Sequence, residues 1–316
     1  MTRRLSDHFN GKTFRFPGDT RETGLWDVIR WKVKSKAEAW GPVEALPPQA
    51  PPPRPGTGLT VSWIGHSTFL IQTPSLTLLT DPVFSHRASP FAWIGPQRAL
   101  PAAMTLESLP KVDAILLSHD HYDHCDLASL RAVARAHRPR LFAPLGHEGL
   151  VRGFGFSAIQ TLDWWDTTNL GDLTITFTPA RHWCRRWPWD TNRRLWGGFM
   201  VNTPDRRLYF AGDSGYHPTL FKDIGSRLGA PDLSLLPIGA YEPRWFMESA
   251  HMNPSEAVAV HNDVNSKLSV GMHWGTFQLT DEAREDPVRD LELASRKAGL
   301  GPRAFIVLQP GGTVAV

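Results

Sequence analysis

"VDAILLSHDHYDHCDLASL", residues 112–130, runs from a continuous apolar stretch into a cluster of metal-affine side chains and then into helical spacing. Val112 to Leu117 read as a strand buried on both faces, and "LASLRAVARAH" (127–137) as a helix. Between them, His119 to Asp126 place three histidines and three aspartates in eight positions. A rigid strand fixes the residues that directly follow it. The alternation of His119 and His121 projects two imidazoles to the same side, and Asp123 and His124 come next. A purely structural turn has no need of that pattern, whereas a metal site does.

The same arrangement recurs outward along the chain. "LTVSWIG" (59–65), "TFLIQT" (68–73), "LTLLTD" (76–81), "RLFAPLG" (140–146) and "LTITFTPA" (173–180) read as strands. So do "GGFMVNT" (197–203), "RLYFAGD" (207–213), "LSLLPIG" (233–239) and "KLSVGMHWG" (267–275), with "AFIVLQPGGTVAV" (304–316) as the last. "NPSEAVAVHNDV" (253–264) opens a helix, with Asn253 as N-cap, Pro254 at the first position and Glu256 at the third. Strand-rich halves with interspersed helices predict an α/β fold of two sheets with helices outside, a four-layer sandwich. His182 follows one strand, Asp213 ends another and His273 ends a third, so strand ends can bring all three to one sheet edge. His119, His121 and His182 form a three-nitrogen set. Asp123, His124 and His273 form a second, and Asp213 has the two oxygens needed to bridge a metal pair.

The chain has 316 residues, 41% hydrophobic and 21% charged, which suits one large α/β domain or two smaller ones. Its formal net charge is +3 with no run of five positives, so a nucleic-acid arm is not expected. The start, "MTRRLSDHFNGK", lacks the apolar core of a secretory signal, and no stretch of 18 apolar residues predicts a membrane span. Two cysteines, Cys125 and Cys184, fit a reducing compartment and a packing role, so a cytoplasmic location is expected. Residues 1–57 read as a lead-in and 58–316 as the body. In the lead-in, "GLWDVIRWKVKSKAEAW" (24–40) has amphipathic helical spacing with a basic side, and "LPPQAPPPRPGTG" (46–58) reads as an extended connector. That helix either packs on the body or lies on a membrane surface, which leaves peripheral membrane association open.

The run H-x-H-x-D-H followed by spaced His, Asp and His resembles the metallo-β-lactamase-fold hydrolases. "TDPVFSHRASPFAWIGPQR" (80–98), "LDWWD" (162–166), "HWCRR" (182–186), "FAGDSGY" (210–216), "PIGAYEPRWFM" (237–247) and "MHWGTF" (272–277) narrow the resemblance to the branch of N-acylphosphatidylethanolamine-hydrolysing phospholipases D. The likeness covers roughly residues 59–310. It implies an αβ/βα sandwich holding two zinc ions, with His119, His121 and His182 on one, Asp123, His124 and His273 on the other, and Asp213 between them. Iron or manganese suits the same donors. It implies hydrolysis of a phospholipid headgroup diester by a metal-activated water, with Asp123 orienting that water and His251 of "SAHMNPSEA" near the phosphate. A homodimer is a further expectation from the family.

Some positions keep two readings. In "GAYEPRWFM" (239–247), Arg244, Tyr241 and Trp245 are candidates for contacting substrate. The alternative pairs Arg244 with Glu242 and puts the aromatics in the core. Asp81 either orients a metal-bound histidine or serves the turn in "TDP". Asp120 stands where the family often has asparagine and is expected to matter little. Trp164 and Trp165, read as strand residues, leave at most one to face a pocket. Lactones, phosphorylated sugars and other diesters are alternative substrates on this fold, and a zinc-binding peripheral membrane protein without turnover is the alternative outside enzymes.

Overall fold

Among the described residues, β-branched and aromatic runs build two sheets of seven strands each. The structure, a computed structural model, describes residues 5–19, 24–35, 37, 39–41, 43 and 47–316. The first sheet uses β1 (Thr60–Gly65), β2 (Thr68–Gln72), β3 (Thr77–Thr80), β4 (Ala114–Leu116), β5 (Arg140–Pro144), β6 (Ala158–Leu162) and β14 (Thr313–Ala315). Its order is β14-β1-β2-β3-β4-β5-β6, and β3 through β6 run parallel. The second uses β7 (Thr167–Leu170), β8 (Leu173–Thr178), β9 (Gly198–Asn202), β10 (Arg207–Phe210), β11 (Leu233–Pro237), β12 (Ser269–Met272) and β13 (Phe305–Ile306). Its order is the mirror in form, β13-β12-β11-β10-β9-β8-β7. The helices are α1 (Leu25–Lys34), α2 (Leu127–His137), α3 (Glu148–Val151), α4 (Leu220–Leu228), α5 (Arg244–Met247), α6 (Pro254–Asp263) and α7 (Asp286–Lys297).

The two-residue period of the strands sorts side chains between layers. Phe69, Ile71 and Leu78 join Phe177, Phe199 and Leu235 in the core between the sheets. Leu70 and Leu79 face the other way, onto Leu130 and Val133 of α2. On the second sheet α6 packs against β11, flanked by α4 and α7. The result is the four-layer αβ/βα sandwich expected from the strand and helix pattern.

Two readings need correction. The final run, 304–316, is not one strand. It pairs β13 with β12, breaks at Pro310-Gly311-Gly312, and returns as β14 beside β1 of the other sheet. Trp164 and Trp165 lie on a turn between β6 and β7. Trp164 donates its indole N–H to the Trp196 carbonyl, and Trp165 sits under Arg227. Described residues of the lead-in are applied to the body. Phe9, Phe14 and Phe16 are buried against the main core, with Phe16 packing on Trp164 and His217, worth about 2 kcal/mol each at typical burial values. Trp31 of α1 stacks on Phe246 and donates to Asp281. The Leu25 side chain and residues 36, 38, 42 and 44–46 of the predicted helix and connector lie outside the described residues.

Candidate metal centre

The turn 119–124 hangs between the end of β4 and the start of α2, where Asp126 accepts a hydrogen bond from Ala128 N and caps the helix. Two local hydrogen bonds close it, from His124 N and Cys125 N to the His121 carbonyl. Gly212 sits directly before Asp213 with φ of +62°, and a Cβ there would lie 2.5 Å from the Gly197 carbonyl oxygen. Only glycine lets β10 turn so close to β9, and that turn aims Asp213 at the cluster. His273, at the end of β12, also has left-handed backbone, held by its N–H donating to the His66 carbonyl. Strain of this kind gathers at sites whose surroundings enforce it.

The strand ends bring the candidates together. His119 Nε2 lies 3.0 Å from His121 Nδ1, which lies 3.2 Å from His182 Nε2. Opposite them, Asp123 Oδ2 is 3.4 Å from His124 Nε2 and 3.2 Å from His273 Nε2. Asp213 Oδ2 stands between the two groups, 3.2 Å from His124 Nε2, 3.0 Å from His273 Nε2 and 3.9 Å from Nε2 of both His119 and His182. Three ring nitrogens facing one another cannot all be satisfied by each other's protons. Nε2 of His124 and of His273 also lie off hydrogen-bond alignment with the carboxylates. A cation at the centre of each group resolves both problems, and nitrogen and carboxylate donors at these spacings suit one.

Residues behind the ligands fix which nitrogen each imidazole presents. Asp81, fully buried, accepts from His124 Nδ1 at 2.7 Å, Ser118 N at 2.7 Å and Ser118 Oγ at 2.5 Å. Because Ser118 Oγ gives its proton to Asp81, it accepts from His119 Nδ1 at 2.9 Å. One carboxylate therefore sets the tautomers of two histidines in different groups, the orienting role left open by the sequence. His182 Nδ1 donates to the Ala250 carbonyl at 2.9 Å. His66 Nε2 donates to Asp123 Oδ2 at 3.0 Å, and His66 packs on His273 with ring centroids 4.0 Å apart. The sequence assigns His66 no role, because a lone histidine at a strand end has many bland explanations. Trp183 was equally invisible, yet its ring lies edge-on to His121 at 4.5 Å.

Asp120 matters more than its non-ligand position suggested. Its side chain is buried and ion-paired with Arg194, which also binds Asp190, and Arg186 donates to its carbonyl at 2.7 Å. This ties the histidine turn to the loop after His182. His251 reaches the same centre, its unpartnered Nδ1 3.8 Å from Asp213 Oδ2. Arg244 is committed elsewhere. It donates to the His251 carbonyl at 2.8 Å and pairs with Glu256 at 2.8 Å, not with Glu242. Glu256 also completes the capping box with Asn253. Tyr241 is buried and donates to Asp290 at 2.6 Å, and Trp245 lies beneath Arg30. The structure thus gathers the seven candidate ligands and His251, while Arg244 supports the His251 backbone, and Tyr241 and Trp245 meet Asp290, Arg30 and Phe246 outside the cluster.

Protonation in the metal-free chain follows from the same contacts. Burial drives His119 and His182 well below the ordinary histidine range. Burial also opposes charge on His273, but Asp213 and Asp123 outweigh it and raise that imidazole to about 9. His124 is raised for the same reason. A raised folded-state value stabilises the metal-free fold below pH 6.5, and that contribution is lost as pH climbs through about 9. A metal must displace those protons. Its affinity, measured by chelator competition, is therefore expected to rise between pH 7 and 9, roughly tenfold per pH unit for each proton displaced. An affinity independent of pH over that window would remove His273 from the ligand set.

Comparison with known proteins agrees with this geometry. The profile of the β-lactamase superfamily domain matches residues 77–274. The chain is 39% identical over 267 residues to N-acyl-phosphatidylethanolamine-hydrolyzing phospholipase D 1 of Caenorhabditis elegans, covering 81% of this chain and 75% of that protein. It is 34% identical over 254 residues to the mitochondrial N-acyl-phosphatidylethanolamine-hydrolyzing phospholipase D of Saccharomyces cerevisiae, covering 77% and 53%. Among solved structures, a metallo hydrolase of Ignicoccus hospitalis superposes with a TM-score of 0.63 at 23% identity, covering 82% of this chain and 99% of that one, a likeness of fold.

Proposed function

The chain belongs to the β-lactamase superfamily and is a metal-dependent hydrolase, and we propose that it cleaves the headgroup phosphodiester of a phospholipid. N-acylphosphatidylethanolamine, giving N-acylethanolamine and phosphatidic acid, is the first substrate to test. The observation that carries the reading is one carboxylate, Asp213, shared by two donor triplets with the unpartnered His251 beside it. The lipid substrate is supported by the relatives from C. elegans and yeast. In this reading residues 1–57 are a lead-in to a hydrolase domain at 58–316, and the protein works at a membrane surface.

His119, His121 and His182 would hold one metal ion, Asp123, His124 and His273 the other, and Asp213 both. Zinc suits the nitrogen-rich set, and iron or manganese the same donors. Such a pair supplies a water acidified to neutral pH and positive charge toward phosphate oxygens. The chain's own residues do the rest. Asp81, Ser118 and the Ala250 carbonyl keep the imidazoles in the tautomers that leave Nε2 of His119, His124 and His182 free. Asp123, itself held by His66, accepts a hydrogen bond from the attacking water. Burial pushes His251 down to about 4 despite Asp213 nearby, so it meets the substrate as a neutral imidazole. It acts as a hydrogen-bond donor to a phosphate oxygen or to the departing alkoxide.

The decisive comparison is turnover of N-acylphosphatidylethanolamine, phosphatidylcholine and bis(p-nitrophenyl) phosphate by protein of known metal content, beside His119→Ala. Preferred release of N-acylethanolamine, lost in the variant, is expected. Cleavage of the simple diester alone would keep the metal chemistry and discard the lipid. Absence of turnover at full metal loading would favour the non-catalytic zinc-binding alternative.

A further inference from the structure

Among the described residues, large apolar side chains in water are concentrated in three segments. On α1, Trp26 and Val33 are each 80% exposed and Ile29 is exposed between them. These positions, i, i+3 and i+7, share one helix face. That face points away from Trp31, which anchors the opposite side of α1 to Asp281 and Phe246. In the loop after β3, residues 91–94 are exposed, Trp93 at 74%. In the loop after His182, Trp189 is 69% exposed and stacks flat on the exposed Trp187.

All three segments are tied to the residues that frame the metal centre. Helix α1 rests on the stretches leading to His251 and away from His273, through Phe246 and Asp281. Residues 83–98 pack on Phe277 and Tyr122, the latter set between His121 and Asp123. Tyr122 in turn donates to the Arg186 carbonyl at 2.7 Å, joining the 183–194 loop. The charge is as uneven as the apolar surface. Of the nine Lys and Arg in residues 24–35, 86–98 and 183–194, Arg30, Lys32, Lys34, Arg185 and Arg193 are exposed, while Arg98 is buried, Arg194 is ion-paired with Asp120 and Asp190, and neither Asp27 nor Asp190 is exposed.

We propose that these three segments form a docking rim around the metal centre that inserts tryptophans into the headgroup region of an anionic bilayer. Tryptophan favours that interface because its ring is apolar and its N–H polar, and the basic side chains beside it meet lipid phosphates. The exposed basic side chains select an anionic surface over a second copy of this chain, which would set like charge against like. The rim deepens the lipid-hydrolase reading by supplying its interface, but its test needs no turnover.

The full-length, metal-loaded protein is floated with vesicles of phosphatidylcholine and with vesicles holding a third phosphatidylglycerol, at low and high salt. Binding to the anionic vesicles, weakened by salt, is expected. A Trp26→Ser/Trp93→Ser/Trp189→Ser variant should partition about tenfold more weakly or worse. Hydrolysis of bis(p-nitrophenyl) phosphate reports that its fold and metal centre are intact. No vesicle binding by the parent protein, or binding undiminished in the variant, would overturn the rim. A parent dimer that the variant converts to monomer, without vesicle binding, would also overturn it in favour of self-association. If vesicles bind but no phospholipid is cleaved, the rim stands and the substrate reading falls. Cleavage of dispersed lipid without vesicle binding means the reverse.

Discussion

Replacing Asp213 by alanine is expected to lower diester hydrolysis by about a thousandfold or more, because in the proposed mechanism the nucleophile at neutral pH depends on a metal pair that Asp213 would join. The carboxylate is buried and faces five histidines, with His273 and His124 nearest at 3.0 and 3.2 Å. Its charge is held well below the usual carboxylate range, since His124 and His273 outweigh the cost of burial. Without it both donor groups lose their shared oxygen, so bound metal, measured by elemental analysis of the purified protein, should fall to half or less. Asp213→Asn separates charge from shape. It should fill the space and still fail to load the second ion. Full metal content with undiminished turnover in Asp213→Ala would remove this residue from the centre.

Asp81→Ala should produce the largest loss of stability of any single change behind the ligands. Three donors converge on this buried carboxylate, and removal leaves Ser118 N–H and His124 Nδ1 with no acceptor. Breaking such a buried network costs about 3–5 kcal/mol, or roughly 10 °C in melting temperature for a chain of this size. Because Asp81 fixes His124 directly and His119 through Ser118, both donor groups lose their preset tautomers. Metal affinity should fall about 10–100-fold, as it does when residues supporting metal-bound histidines are removed. Thermal unfolding of metal-free and metal-loaded protein distinguishes the two effects. A variant that melts lower but binds metal as tightly as the parent would make Asp81 structural only.

The metal turn was legible because its information is local. His119, His121, Asp123 and His124 are adjacent in the chain, and a strand–turn–helix frame fixes their spacing whatever the rest does. The α6 start was legible for the same reason, since Asn253, Pro254 and Glu256 cap a helix through bonds within four residues. The final run 304–316 was not. Pro310-Gly311-Gly312 marks a turn locally, but the crossing from the side of β12 to the side of β1 depends on which sheet offers a free edge. Arg244 shows the same limit, because Glu242 and Glu256 are both near in sequence and only the packing of α5 against α6 selects Glu256.

By itself, the sequence determined the strand and helix periods, the metal-affine turn and the strand-end positions of His182, Asp213 and His273. These follow from short-range spacing, which a chain carries with it in any context. Tertiary structure alone decided that Asp81 governs His119 and His124, that His66 holds Asp123, and that Asp120 pairs with Arg194 across 74 residues. It also decided that α1 buries Trp31 while leaving Trp26 and Val33 in water. Partners distant in the chain are chosen by which buried charge needs compensation once the sheets have closed, and a linear pattern holds no record of that choice.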